Sequence, residues 1–232
     1  NFILNINNPN SDYQALFGKF ENGVIENLSV SGKVFGKNYV AGIVGHQKSG
    51  TVKNVYNTAD ISASSTYAGG IIGLIAGGVI TNTFNSGEIL ANNFAGGIGY
   101  HSGGSITYAY SFGTVSTNLT NVYGVSNYQN LNYRTFYDAS VMVSYSPVNG
   151  NKPTSIMSNF VLDTWTLITE MGSKDFTNTS GWTLKAYVEP IGYYPQLSVF
   201  AEHSNENIRN RSAAITKVVN DKGFGSEQSP FL

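Results

Sequence analysis

The feature that most constrains this chain is a repeat with a period near 27 residues. Five segments written under one another share a pattern: "ALFGKFENGVIENLSVSGKV", "GIVGHQKSGTVKNVYNTADI", "GIIGLIAGGVITNTFNSGEI", "GGIGYHSGGSITYAYSFGTV" and the degraded "YGVSNYQNLNYRTFYDASVM". Gly18, Gly45, Gly73 and Gly99 are the equivalent glycines, with Gly124 in the last copy. One apolar column comprises Ile25, Val52, Ile80, Ile106 and Tyr133, and a second comprises Val34, Ile61, Ile89, Val115 and Met142. Steps along the second column are 27, 28, 26 and 27 residues. A unit this short cannot bury its own apolar face, so the copies must stack.

Runs such as "TVKNVYN" and "DISAS" place β-branched residues at alternate positions between turn residues. That is strand chemistry of period two. No copy has the 3.6-residue apolar stripe that a helical repeat requires. The sequence therefore predicts an all-β fold, a parallel β-helix (β-solenoid) of about five coils of ~27 residues. Stacking at the ~4.8 Å strand spacing lays equivalent residues over one another. Tyr56, Phe84, Tyr110 and Tyr137 then form an aromatic column. Asn54 and Asn82, and separately Asn57 and Asn85, form amide ladders. Lys33 shares a column with the carboxylates of Asp60 and Glu88. The repeat glycines have a backbone role, either positive φ at corners or close approach between coils.

"AGIVG…GTVKNVYNTADI", "GGIIG…GGVITNTFNSGEI" and "GGIG…GGSITYAYSFGTV" resemble the GLUG motif, named for its Gly-Leu-hydrophobic-Gly core. Ile takes the Leu position in Gly42–Gly45 and Gly70–Gly73, and Gly97–Gly99 has lost one residue. The ending "SGWTLKAYVEPIGYYPQL", residues 180 to 197, is similar to the Trp…Tyr-Pro-x-Leu segment that often closes such arrays. The resemblance covers residues 13 to 199. It implies scaffold within a large bacterial surface or secreted protein, as in filamentous-haemagglutinin-like adhesins and IgA-specific metallopeptidases.

Composition narrows the function classes. Only 12% of residues are charged and the net charge is −1, against roughly 25% charged in a typical domain. No electrostatic footprint for nucleic acid or anionic lipid follows. Cysteine is absent, which excludes disulfides, thiolate metal sites and thiol catalysis. The start "NFILNINNPN" lacks the pattern of a signal peptide, so the chain reads as a mature or excised piece of something longer. The longest apolar run, "YAGGIIGLIAGGVI" at 67–80, is 14 residues, short of the ~20 that span a membrane. Its Gly69, Gly73 and Gly77 mimic a GxxxG membrane face. In register with its sister copies, Gly69 to Gly78 are expected to be the turn of one coil, with Ile71, Ile72 and Ile80 in strands.

The periodicity dissolves after Met142. The expected organisation is a solenoid over residues 1–145, a cap over 146–200, and a linker or short helix with a flexible tail over 201–232. "PTSIMSNFVLDTWTLITEMGS", residues 153 to 173, opens with Pro and small polar residues in the manner of a helix start. Trp182, Tyr193, Tyr194 and Leu197 are expected to cover the last coil, because an open solenoid end exposes unpaired strand edges. Ile208, Ile215 and Val219 stand at helical spacing, ahead of the tail "GFGSEQSPFL".

Signs of catalysis are sparse. The residues after Gly73, "LIAGGVITN", contain no Lys and cannot complete a phosphate loop. His46 and His101 fall in different columns two coils apart, too far for one ligand sphere, and His203 lies in the tail. Neither HExxH, a DxDxDG-like calcium loop nor GxSxG occurs. The one enzymatic candidate is the carboxylate pair Asp60 and Glu88, one coil apart and near the ~5 Å separation of retaining glycosidases. Lys33 beside them offers an ordinary ion-pair explanation, and the sequence supplies no further cluster of Asp, Arg, His or Lys to support catalysis there. No cofactor is expected. The expected partners are a host protein, a glycan or other copies of the chain, met by Tyr, Asn and Thr columns on the exposed faces. Sequons stand at Asn27, Asn118, Asn178 and Asn210. The sequence thus reads as a non-catalytic stalk and adhesive module at a bacterial surface. Two alternatives are a subunit of an extracellular filament and an accessory domain of a secreted peptidase or glycan-active β-helix.

Overall fold

In the computed structural model, the alternating β-branched residues of each copy form short strands and the turn residues form corners. The structure describes residues 1–119, 121–127, 132–138, 161–162, 182–183 and 196–200. The first strands are β1 (Phe2–Asn7), β2 (Phe17–Phe20), β3 (Val24–Gly36), β4 (Val40–Ala41) and β5 (Val44–Gln47). The next coil holds β6 (Thr51–Asn57), β7 (Asp60–Ala63), β8 (Tyr67–Gly69) and β9 (Ile72–Ile75). Then come β10 (Val79–Asn85), β11 (Ile89–Ala91), β12 (Phe94–Gly96) and β13 (Gly99–His101). Last are β14 (Ser105–Ser111), β15 (Val115–Thr117), β16 (Asn121–Tyr123) and β17 (Asn132–Asp138). The described residues contain no α-helix.

Strands one repeat apart pair in parallel throughout β1 to β17. β3 is long enough to serve two stacks. Its first half pairs with β6, and its second half pairs with β7 on one side and β1 on the other. Through β3, the stacks β6-β10-β14-β17 and β7-β11-β15 join into one sheet. The stacks β4-β8-β12-β16 and β2-β5-β9-β13 form two further sheets. This is a β-solenoid of about five coils. Its core is a set of aliphatic columns, such as Val34, Ile61, Ile89 and Val115, each at most 1% exposed.

The fifth coil departs from the expected alignment by one residue. Tyr110 is paired with Phe136, so Phe136 continues the column of Tyr56, Phe84 and Tyr110, and Tyr137 does not. Tyr137 instead lies opposite Ser111, above the buried Asn57–Asn85 column. Ile106 likewise meets Asn132 rather than Tyr133. The backbone ladder keeps a 26-residue step here, as it does from Phe84 to Tyr110, where the alignment assumed 27. Met142 lies outside the described residues.

The glycines divide into two jobs. Gly18, Gly45 and Gly73 stack within the β2-β5-β9 sheet, and a Cβ on Gly45 or Gly73 would stand 2.6 Å from the carbonyl oxygen of the glycine beneath. Close approach is therefore their role. Gly99 is displaced from that column and lies opposite Ile72. Three residues, 97–99, span the gap that four, 70–73, fill one coil below, and the ladder shifts between Gly99 and Tyr100 to absorb the deletion. Positive φ is supplied elsewhere, by Gly23, Gly50, Gly78 and Gly104 at the corner before each long strand. A second left-handed column comprises Asn27, Asn54, Asn82 and Tyr108. The stretch 67–80 is thus more than a turn: it holds β8, β9 and the start of β10, with Ile71 buried at a corner.

Two compact units emerge from the contact pattern, Asn1–Val161 and Leu162–Leu232. β18 (Val161–Leu162) is a strand where residues 153–173 suggested a helix, and the rest of that segment lies outside the described residues. In the second unit β19 (Trp182–Thr183) pairs antiparallel with β20 (Gln196–Leu197), Leu197 is buried, and a 3-10 turn follows at Ser198–Phe200. Tyr193, Tyr194 and residues 201–232 are outside the described residues.

Candidate functional site

Two kinds of aromatic column run along the solenoid. The first is internal. Tyr56, Phe84 and Tyr110 stack face to face with centroids 4.8 and 5.1 Å apart, and all are buried. Each such pair adds roughly 0.5–1.5 kcal/mol beyond area burial, so this column is packing.

The second is half-buried along one edge. Tyr39 precedes β4, Tyr67 opens β8 and Phe94 opens β12, so the parallel ladder sets them one above another. Tyr13 lies below them. Centroid distances are 4.9, 5.4 and 5.3 Å, with planes within 26° of parallel. Beside them run His46 of β5 and Tyr100 of β13, both in register with Leu74. His46 lies 5.6 Å from Tyr39, and Tyr100 lies 4.8 Å from Tyr67 and 4.7 Å from Phe94. Lys19 Nζ covers the lower face of the row, 4.3 Å from the Tyr13 centroid.

Because the rings cover one another's faces, the row offers ring edges and phenolic hydroxyls to solvent. Burial, followed by the neighbouring phenols, holds the Tyr39, Tyr67 and Tyr100 hydroxyls above their ordinary pKa. They therefore stay neutral donors and acceptors. Burial foremost, then Lys48 and Lys19, depresses the His46 pKa, with Glu21 opposing. Charge gathers at the lower end, where Asp12, Lys19, Glu21 and Lys48 lie near Tyr13, Tyr39 and His46, and is scarce above: residues 61–133 contain one Asp, Glu, Lys or Arg, which is Glu88. The upper strip of ring edges and hydroxyls, from Tyr67 to Tyr100, can meet a neutral polyhydroxylated or peptide surface. The spacing of Tyr39, Tyr67 and Phe94 at 28 and 27 residues was visible in the sequence. Their half-exposure was not, and the sequence reading named none of them.

The carboxylate pair lies on a different stack. Lys33 pairs in register with Asp60, and Glu88 follows one coil on. Asp60 Oδ1 accepts the backbone N–H of Glu88 at 3.3 Å, so it ties one coil to the next. Both amide ladders form. Asn82 Nδ2 donates to Asn54 Oδ1 at 3.2 Å, and Asn54 Nδ2 to Asn27 Oδ1 at 3.1 Å, which adds Asn27 to the column. Inside, Asn57 Nδ2 donates to Asn85 Oδ1 at 2.8 Å. Of the sequon residues, Asn27 and Asn118 are exposed, Asn118 donates to Asn92 Oδ1, and Asn178 and Asn210 lie outside the described residues. His46 and His101 stand in separate columns, and no group of three or more His, Asp or Glu that could hold a metal occurs among the described residues.

No family model matches the chain, and neither a curated protein nor a solved structure is significantly similar to it.

Proposed function

We propose that this solenoid is a non-catalytic structural and adhesive module of a large extracellular bacterial protein, of the kind its GLUG-like repeats suggest. The observation that carries the proposal is the half-buried row of Tyr13, Tyr39, Tyr67, Phe94 and Tyr100, whose upper part belongs to a stretch, residues 61–133, with Glu88 as its one charged side chain. Parallel ladders and two amide columns resist bending, because every coil is hydrogen-bonded to the next along several strands. The row then presents a repeating contact edge to a host glycan or host protein. Asp60 supports this reading over a glycan-active one, since its carboxylate accepts the main-chain N–H of Glu88.

Glycan and matrix-protein arrays probed with the purified chain test the proposal. Tyr39→Ala and Tyr67→Ala should each weaken capture by roughly tenfold or more, as aromatic hot spots do, with the circular dichroism spectrum retained. Absence of capture by the wild-type chain, or undiminished capture by both variants, refutes it.

A further inference from the structure

Tyr13 and Tyr39 both hold a left-handed backbone, with φ of 59° and 57°, a conformation that bulky residues rarely adopt. Their neighbours make room for it. A Cβ on Gly45 would stand 2.8 Å from the Tyr39 carbonyl oxygen and 3.0 Å from the Tyr13 Cα. Hydrogen bonds on either side of the two rings clamp the segment before β2 onto the segment before β4. The Lys37 N–H donates to the Ser11 carbonyl at 2.8 Å, the Tyr13 N–H to the Asn38 carbonyl at 2.9 Å, and the Ala41 N–H to the Gln14 carbonyl at 3.0 Å. Asn38 Nδ2 also donates to Asp12 Oδ1 at 2.8 Å. The two phenol rings are thereby held face to face, with centroids 4.9 Å apart and planes within 8° of parallel. Both are half-buried, so solvent reaches their edges.

A strained backbone that its surroundings over-determine points to a use for the residues held there. The chemistry open to two touching phenols is oxidative. In the inner column, by contrast, Phe84 stands between Tyr56 and Tyr110 and keeps those phenols apart. The chain has no cysteine, so no disulfide can tie one coil to the next. A one-electron oxidant of the haem peroxidase class, supplied with hydrogen peroxide, takes one electron and the phenolic proton from each ring. The two phenoxyl radicals couple through a new carbon–carbon bond between ring carbons ortho to the oxygens. Each of those carbons then gives up its hydrogen and each oxygen regains one, which restores both phenols. Two electrons and two protons leave in all, and they reduce hydrogen peroxide to two waters.

We propose that Tyr13 and Tyr39 form a site of oxidative coupling, whose dityrosine product is a covalent staple between consecutive coils. This coupling does not depend on what the row binds. The full chain, kept dilute to disfavour coupling between molecules, is treated with peroxidase and hydrogen peroxide, then unfolded in urea and cut with trypsin. Tyr13 is released in the fragment that ends at Lys19 and Tyr39 in Asn38–Lys48, and neither fragment holds another tyrosine. Mass spectrometry should find these two fragments joined and lighter by two hydrogen atoms. The oxidised chain should also melt higher by roughly 5 °C or more, as a cross-link of this loop length implies. Tyr39→Phe keeps the stacked ring but removes the phenol, so oxidation should neither join the fragments nor raise the melting temperature. Tyr56→Phe, in the buried column, should couple as the wild type does. Circular dichroism before oxidation checks that both variants keep the fold. Failure of the wild-type chain to couple, coupling only between separate molecules, or Tyr39 joined to Tyr67 instead of Tyr13 would each overturn the proposal. An equal rise in melting temperature for the wild type and Tyr39→Phe, or none in the coupled wild type, would refute the staple.

Discussion

Replacing Asn85 by alanine removes four buried hydrogen bonds at once. Its Oδ1 accepts from Asn57 Nδ2 at 2.8 Å and from the Gly87 N–H at 3.1 Å. Its Nδ2 donates to the Gly87 carbonyl at 3.0 Å and to Ser111 Oγ at 3.2 Å. The site is fully buried, so water cannot replace these partners without opening the coil. Asn57 Nδ2 keeps its bond to the Ala59 carbonyl, which limits the damage below. Four net hydrogen bonds of about 1 kcal/mol each give an expected loss of about 4 kcal/mol, and each polar group left stranded adds about 1 kcal/mol or more. That is a large share of the roughly 5–15 kcal/mol by which a domain is stable. Urea unfolding followed by far-UV circular dichroism measures the total. Because stacked repeats can unfold in parts, hydrogen exchange at Gly87 and its neighbours locates the effect. In a double-mutant cycle, Asn57→Ala with Asn85→Ala should show coupling of about 1 kcal/mol. Asn85→Asp should be destabilised at neutral pH and recover on acidification, since a protonated carboxyl can again donate to the Gly87 carbonyl. A loss below about 1 kcal/mol for Asn85→Ala would show that the ladder contributes little beyond volume, against the value assigned to a buried, satisfied amide.

Four further outcomes are expected. Gly45→Ala should cost at least about 2 kcal/mol in urea unfolding, because its Cβ would meet the Gly18 and Tyr39 carbonyl oxygens at 2.6 and 2.8 Å. Gly23→Ala should cost only about 1–2 kcal/mol, since nothing lies within 4 Å and φ of 97° is the sole obstacle. Tyr108→Asn should raise stability by about 1 kcal/mol, because it puts the residue type of Asn54 and Asn82 at a φ of 50°. The depressed His46 pKa means the unfolded chain binds the proton more readily. Stability should therefore fall as pH drops below about 6.5 and level off beneath the folded value, and His46→Phe should flatten that dependence in thermal melts between pH 7 and 5.

The sequence carried the fold a long way because stacking makes each coil report on its neighbours. The Val34, Ile61, Ile89 and Val115 column, both Asn ladders and the Lys33–Asp60 register are recoverable from spacing alone. The candidate contact row was only half legible. Its spacing is regular, but Tyr56 and Tyr67 look alike in the sequence, although one is buried and the other half-exposed. Which side of the strand faces the core depends on where each corner turns, and corners are set by backbone conformation rather than by residue type alone.

By itself, then, the sequence determined the period and the strand chemistry and pointed to parallel stacking, since each short copy must bury its apolar face against the next. Only the tertiary structure decided how irregular copies stay in step. A backbone ladder cannot skip a hydrogen bond cheaply. The missing residue before Gly99 is therefore absorbed by a local shift opposite Gly73, and the ladder brings Phe136, not Tyr137, over Tyr110.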